Sequence, residues 1–243
     1  MRSTNHLRVV VVPFLIALGL LAPAGCQTTR SAGEIRQAAE SAYERGEYER
    51  SLAEWEEYAV VYPVPRAADL GRGRALLALD RPAEAEPFLE RVYLSDPQDE
   101  EVLEVYVGAL FASRQWDKLT TLLRQRTQQP GRIEDYLRLG RYAQLMDDPD
   151  EAERALLSAA RIDRGQTREP QFALAEFYHE LGDDERALDR YAMALWFDYS
   201  DQQIAERIRS LGETPGRTFV QAPAEAVEEG LLAPGAAPPD PRP

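Results

Sequence analysis

LGDDERALDRYAMAL, residues 181–195, decides the fold. A turn glycine, Gly182, is followed five residues later by Ala187, then by Tyr191 and Ala194. The last three stand at i, i+4 and i+7, which places them on one stripe of a helix. The same pattern recurs upstream as GEYERSLAEWEEY from 46, DRPAEAEPFLERV from 80, RQWDKLTTLLRQR from 114 and DDPDEAERALLSA from 147. The small or apolar residue after each turn falls at Ser51, Ala85, Leu119, Ala152 and Ala187, so the spacings are 34, 34, 33 and 35. A period near 34 residues marks a helical repeat array, in which each unit buries its apolar face against its neighbours.

On these stretches the chain resembles the tetratricopeptide repeat family over about residues 34–199. The resemblance implies an all-α, right-handed solenoid of about five helical hairpins, each a helix A, a tight turn and a helix B. In the first hairpin Ala38, Ala39 and Ala42 are small packing positions before Gly46, and Trp55 and Tyr58 line helix B. The second carries Gly73 and ends on Asp96-Pro97, as the family does. The third departs from the pattern: Val107 replaces the small residue, Arg114 the turn glycine and Arg126 the last apolar position. The fourth and fifth recover with Gly140, Ala152, Ala175 and Gly182. After Ser200, read as an N-cap, Ile204, Ile208 and Leu211 form the apolar face of one more helix, the polar-backed cap that arrays need.

The ends differ in composition. Arg2 and Arg8 precede an apolar run from Val9 to Ala22, too short for a span of about 20 residues, so residues 1–25 read as an export signal. Ala24-Gly25-Cys26 resembles the bacterial lipobox, although Pro23 stands where the family has an aliphatic residue. That resemblance implies a lipid on Cys26, the only cysteine, and Gln27 after it implies the outer membrane, facing the periplasm. The alternatives are a plain secretory signal and an uncleaved tether. Residues 26–33 read as a tether. Residues 213–243 hold seven of the 17 prolines and read as a disordered tail.

The chain's charge of −14 becomes −16 once residues 1–25 are gone, which opposes nucleic-acid phosphates. Catalytic and metal signatures are missing from the sequence: no GxSxG, no HExxH, no CxxC and no Gly-rich phosphate loop. The acidic runs at 147–150 and 183–185 stand where carboxylates cap helix starts. The expectation is a protein without cofactor or metal. What remains is a surface. The family's helix A residues line a concave channel, here Arg36, Glu40, Tyr43, Leu70, Arg74, Leu77, Glu104, Phe111, Leu137, Arg141, Gln144, Phe172, Glu176 and His179. Such a channel suits a peptide or helix from another envelope protein, with Arg74 and Arg141 each placed to hold a carboxylate. The family's carboxylate clamp needs asparagine and lysine, which this channel lacks. Phe111 and Phe172 could equally pad the seam between helices. A competing reading makes Glu104 and Glu176 a glycan-processing or glycan-binding pair.

Overall fold

The computed structural model describes residues 30–63, 65–128 and 132–239. The signal segment, Cys26 and the first half of the tether therefore lie outside the described residues. Among the described residues there is no strand, and no helix is long and apolar enough to cross a membrane.

Ten helices form five hairpins: α1 (Ala32–Glu44) with α2 (Tyr48–Val61), α3 (Pro65–Ala78) with α4 (Pro82–Ser95), α5 (Glu100–Ala112) with α6 (Trp116–Gln128), α7 (Ile133–Leu145) with α8 (Pro149–Asp163), and α9 (Glu169–Glu180) with α10 (Asp184–Leu195). The cap is α11 (Gln202–Ser210), and α12 (Ala224–Glu228) lies in the C-terminal segment. The A helices of adjacent repeats touch, α1 with α3, α3 with α5 and α7 with α9. Among the described residues no comparable contact joins one B helix to the next, so the A helices lie on the inner side of the array. The right-handed solenoid of tetratricopeptide type expected from the sequence is the observed architecture.

All five hairpins turn by the same device. Gly46, Asp80, Arg114, Asp147 and Gly182 each have positive φ, between 57° and 76°. The N–H of each donates to the carbonyl three residues back, and the following N–H donates to the carbonyl five back, at 2.9–3.0 Å. This is the paired helix-end motif that satisfies two otherwise orphaned carbonyls. Glycine adopts the left-handed conformation freely, whereas Asp80, Arg114 and Asp147 adopt it at a cost. In the turns after Asp147 and Gly182, the side chains of Asp148 and Asp183 accept N–H bonds from Glu151 and Arg186, so those acids cap α8 and α10.

The packing positions follow the period. A Cβ on Gly73 would meet Leu89 of α4 at 2.5 Å, and one on Gly140 would meet Leu156 of α8 at 2.6 Å. The third hairpin has Val107 at this position, and α5 and α6 touch far less extensively than the helices of the other four hairpins. Val107, with two methyls on its Cβ, is larger than the glycines at 73 and 140. Leu119 and Leu123 of α6 still pack in the core that holds Val107 and Leu110, and ions tie the end of the hairpin. Arg126 reaches Asp135 Oδ1, Glu100 Oε1 and the Pro97 carbonyl, each at 2.7 Å, while Arg138 reaches Asp135, Glu100 and Glu104. Arg126, the departure at the family's last apolar position, is thus the centre of a buried network tying α5, α6 and α7.

Three boundaries differ from the sequence reading. The tether is shorter, because Ser31 and Glu34 form a reciprocal capping box that starts α1 at Ala32, and Arg30 pairs with Glu54 at 2.8 Å. The cap helix starts one residue later than expected, with Asp201 and not Ser200 accepting the N–H of Ile204. The tail expected to be disordered folds back onto the array over residues 219–229. Phe219 and Val220 pack against the core cluster that contains Tyr191 and Ile204, and Ala226 is buried. The composition is poor in apolar groups, but those few are placed against a surface that α8, α9 and α10 leave ready for them.

Candidate functional site

The A-helix face carries the channel positions, and the structure sorts them into three sets, with Arg74 shared by the first two. The first set meets at the N-terminal mouth. Arg36, Glu40 and Tyr43 of α1 and Leu70 and Arg74 of α3 line one open cavity of about 470 Å³, together with Glu44, Trp55, Ala67 and Gly71. The volume lies in the range of small-ligand pockets and fits one or two side chains. Gly71 makes the floor: a Cβ there would sit 2.1 Å from the Trp55 indole, so only glycine lets that ring lie against α3. Tyr43 is 38 % exposed and its ring lies 5.3 Å from that of Tyr48. The mouth therefore offers an aromatic and apolar floor beneath Arg36 and Glu40, which pair with each other at 2.8 Å.

The second set is occupied by the protein itself. Arg74 pairs with Glu101, one helix A further on. Glu104 receives Arg138 at 2.7 Å and Arg141 at 3.0 Å. Gln144 donates to Glu180 at 3.1 Å. Glu176 accepts from the Tyr191 hydroxyl and from Arg207 at 2.8 Å. These bonds cross from one A helix to the next, apart from the two to Glu176, which come from α10 and from the cap helix α11. Arg74 and Arg141, expected to be open to a guest carboxylate, already hold one each.

Leu77 and Phe111 pack against the core cluster around α5, and Leu137 and Phe172 against the one around α9. The Phe111 ring lies 5.7 Å from that of Tyr142, and the Phe172 ring 6.2 Å from that of Tyr191. Both phenylalanines are half-buried seam residues. His179 is also half-buried, with Nδ1 3.8 Å from Asp184 Oδ1.

Glu104 and Glu176 sit on α5 and α9, two repeats apart. Burial pushes the Glu104 carboxyl up, but Arg138, with Arg141 beside it, outweighs this and holds it below the ordinary carboxylate range. That is the opposite of what a glycosidic general acid requires. Among the described residues no group of three or more His, Cys, Asp or Glu side chains is placed to hold a metal ion.

Sequence reasoning missed Trp55 and Gly71 at the mouth. The signal was present as Gly71-Arg72-Gly73, two glycines inside one helix, each costing about 1 kcal/mol of helix propensity relative to alanine. Such a cost points to close approach by another element.

No protein-family model matches this chain, and no curated protein matches it. Among solved structures it is similar to the MamA protein, with a TM-score of 0.52 at 15 % identity, over 74 % of this chain and 94 % of that one. It is also similar to pilF of Pseudomonas aeruginosa, with a TM-score of 0.50 at 16 % identity, over 82 % and 89 %. A third similarity is to TTC0263, a thermophilic TPR protein of Thermus thermophilus, with a TM-score of 0.47 at 22 % identity, over 74 % and 98 %. At such identities the first two likenesses are ones of fold alone, and they agree with the helical solenoid described above.

Proposed function

We propose that this protein is a non-catalytic scaffold that binds a peptide or helix segment of another protein. The observation that carries the reading is the mouth cavity, where Tyr43 and Leu70 line an opening above the buried Trp55 while the charges further along the channel are spent on one another. A guest anchors an apolar or aromatic side chain there and runs along the A helices over a surface of satisfied ion pairs. Affinity then comes from apolar burial in excess of the cost of ordering the guest, and the acid–base pairs set register and exclude mismatched charge.

In this reading a lipid on Cys26 anchors the scaffold to an envelope membrane, supported by the charge and apolar pattern of residues 1–25, and Gln27 favours the outer membrane. Confinement to that surface raises the effective concentration of membrane-bound partners. Envelope assembly, of pili and their secretins or of outer-membrane proteins, is the setting this reading assigns.

The deciding experiment is photo-crosslinking in cells from a probe placed at Tyr43 and from one placed on the far surface of α6. Adducts specific to the mouth, lost when Leu70→Glu is added, are expected. Equal adducts from both positions, or adducts indifferent to Leu70→Glu, overturn the channel reading. Mass spectrometry of the mature N-terminus tests the anchor separately: a lipidated Cys26 is expected, and an intact Met1 overturns it.

A further inference from the structure

The C-terminal segment is held by a site that the channel does not use. Gln171, on the first turn of α9, is fully buried. Its Nε2 donates to Glu225 Oε2 at 2.7 Å, and its Oε1 accepts from Arg190 Nη1 of α10 at 2.7 Å. The same Arg190 nitrogen donates to Glu225 Oε1 at 2.7 Å. One carboxylate is thus gripped at both oxygens, by an amide and by a guanidinium that orient each other. The Glu225 and Arg190 side chains are only 12 % and 16 % exposed.

Beside this grip lies a notch. Gly165, after the end of α8, has φ +65°, and a Cβ on it would meet Pro223 Cβ at 2.6 Å and Ala226 Cβ at 2.9 Å. Pro223 and Ala226 are both buried there. A third contact is made by backbone: the Gln221 N–H donates at 3.2 Å to the carbonyl of Ala192, in the last turn of α10. Carbonyls in a last turn have no partner of their own in the helix.

The segment contributes little structure of its own. α12 spans five residues, far below the length at which an isolated helix persists in water. It is joined to the cap helix by residues 213–218, most of them exposed. Its order comes from the surface it sits on, as with a bound peptide. If Glu225 leaves, the buried Gln171 amide loses an acceptor and Arg190 its carboxylate, and a surface prepared for an anion is left empty.

We propose that Gln171, Arg190 and the Gly165 notch form a second peptide-binding site, specific for a proline followed two residues later by a glutamate at the start of a helical turn, which the chain keeps filled with its own residues 219–232. The tail is an intramolecular ligand. An acidic peptide of the same chemistry supplied in trans competes with it, against an effective concentration on the order of millimolar for a segment on so short a linker. This site is separate from the mouth of the channel and does not depend on what the channel binds.

The test uses the full chain and a fluorescent peptide of residues 217–232. Glu225→Gln in the chain weakens the internal ligand, so the peptide is expected to bind that variant at least about tenfold more tightly than the unaltered chain. A peptide carrying the same Glu→Gln change is expected to lose at least about tenfold in affinity for the variant, because it presents no carboxylate to Arg190. Tyr43→Ala, at the channel mouth, is expected to change neither value. Equal binding to both chains, no binding to either, or indifference to the peptide's glutamate overturns the proposal. Should Glu225→Gln prevent folding, hydrogen exchange of the unaltered chain decides. Amides of Gln221 and Leu231 exchanging in a step of their own, ahead of α9 and α10, support a replaceable ligand. Exchange only with global unfolding, or with no protection at all, overturns it.

Discussion

Leu89 occupies the space that Gly73 leaves open: a Cβ on that glycine would stand 2.5 Å from Leu89 Cδ2. Leu89 is itself fully buried, so it cannot swing aside into solvent. In an exposed helix, replacing glycine by alanine gains about 1 kcal/mol of propensity. Here overpacking costs about 1–3 kcal/mol, and the net effect of Gly73→Ala is destabilising. A lower urea midpoint at unchanged slope is the expected result. A raised midpoint would mean that α3 and α4 are not in contact at this position.

The turn residues invert that expectation. Arg114 has φ +57° in a turn whose hydrogen bonds match those at Gly46 and Gly182. Arg114→Gly removes a left-handed arginine and should stabilise by about 1 kcal/mol, while Gly46→Ala, with nothing within 4 Å of the new methyl, should cost about the same through backbone strain alone. Paired denaturation curves check both signs. A loss of stability in Arg114→Gly would show that the arginine side chain supports the turn.

The repeat was legible because the period is enforced by packing. Ser51, Ala85, Leu119, Ala152 and Ala187 are all fully or almost fully buried against the opposing helix, and such positions admit few residue types. Ser51 fits by donating its hydroxyl to the Ala39 carbonyl at 2.9 Å. The channel positions were legible only as a face. Arg74 and Arg141 stand on it as expected, but their partners Glu101 and Glu104 lie 27 and 37 residues away in sequence, and nothing in the local pattern couples them. The docked tail was illegible for a related reason. Its low apolar content predicts disorder when it is counted alone. Its order depends on Gln171 and Arg190, whose readiness to hold Glu225 is a property of three elements at once.

At the loose third hairpin, charge is added to a thinner apolar packing. Arg126 and Asp135, 9 % and 6 % exposed, meet at 2.7 Å, and Arg138 also holds Asp135 at 3.1 Å. Arg126→Met should cost about 1–3 kcal/mol, less than a fully orphaned buried carboxylate, because Arg138 remains. Arg126→Met with Asp135→Leu should recover part of that loss, since the desolvated charge goes as well. A double-mutant cycle by urea denaturation checks it. Additive losses would mean that the two side chains do not interact in solution.

Alkaline pH acts on the same seam from the side of helix B. Tyr106 is buried beneath Lys118, whose ammonium is 5.8 Å from the ring centroid and 2.6 Å from both Glu86 and Glu90. Burial pushes the Tyr106 hydroxyl up to about 12, although Lys118 pulls the other way. Burial likewise raises Tyr178 and Tyr191, with Glu153 and Glu176 adding to it. A phenol raised above its unfolded value of about 10 stays protonated in the native chain while the unfolded chain ionises. Stability is therefore complete below pH 10 and falls as pH rises toward 12, by up to about 1.4 kcal/mol per pH unit for each such group. Urea midpoints measured from pH 9 to 11.5 should decline, and Tyr106→Phe should flatten the decline by removing one contributor. An unchanged slope in Tyr106→Phe would place this ring in water and would undo its packing between Tyr93 of α4 and Lys118 of α6.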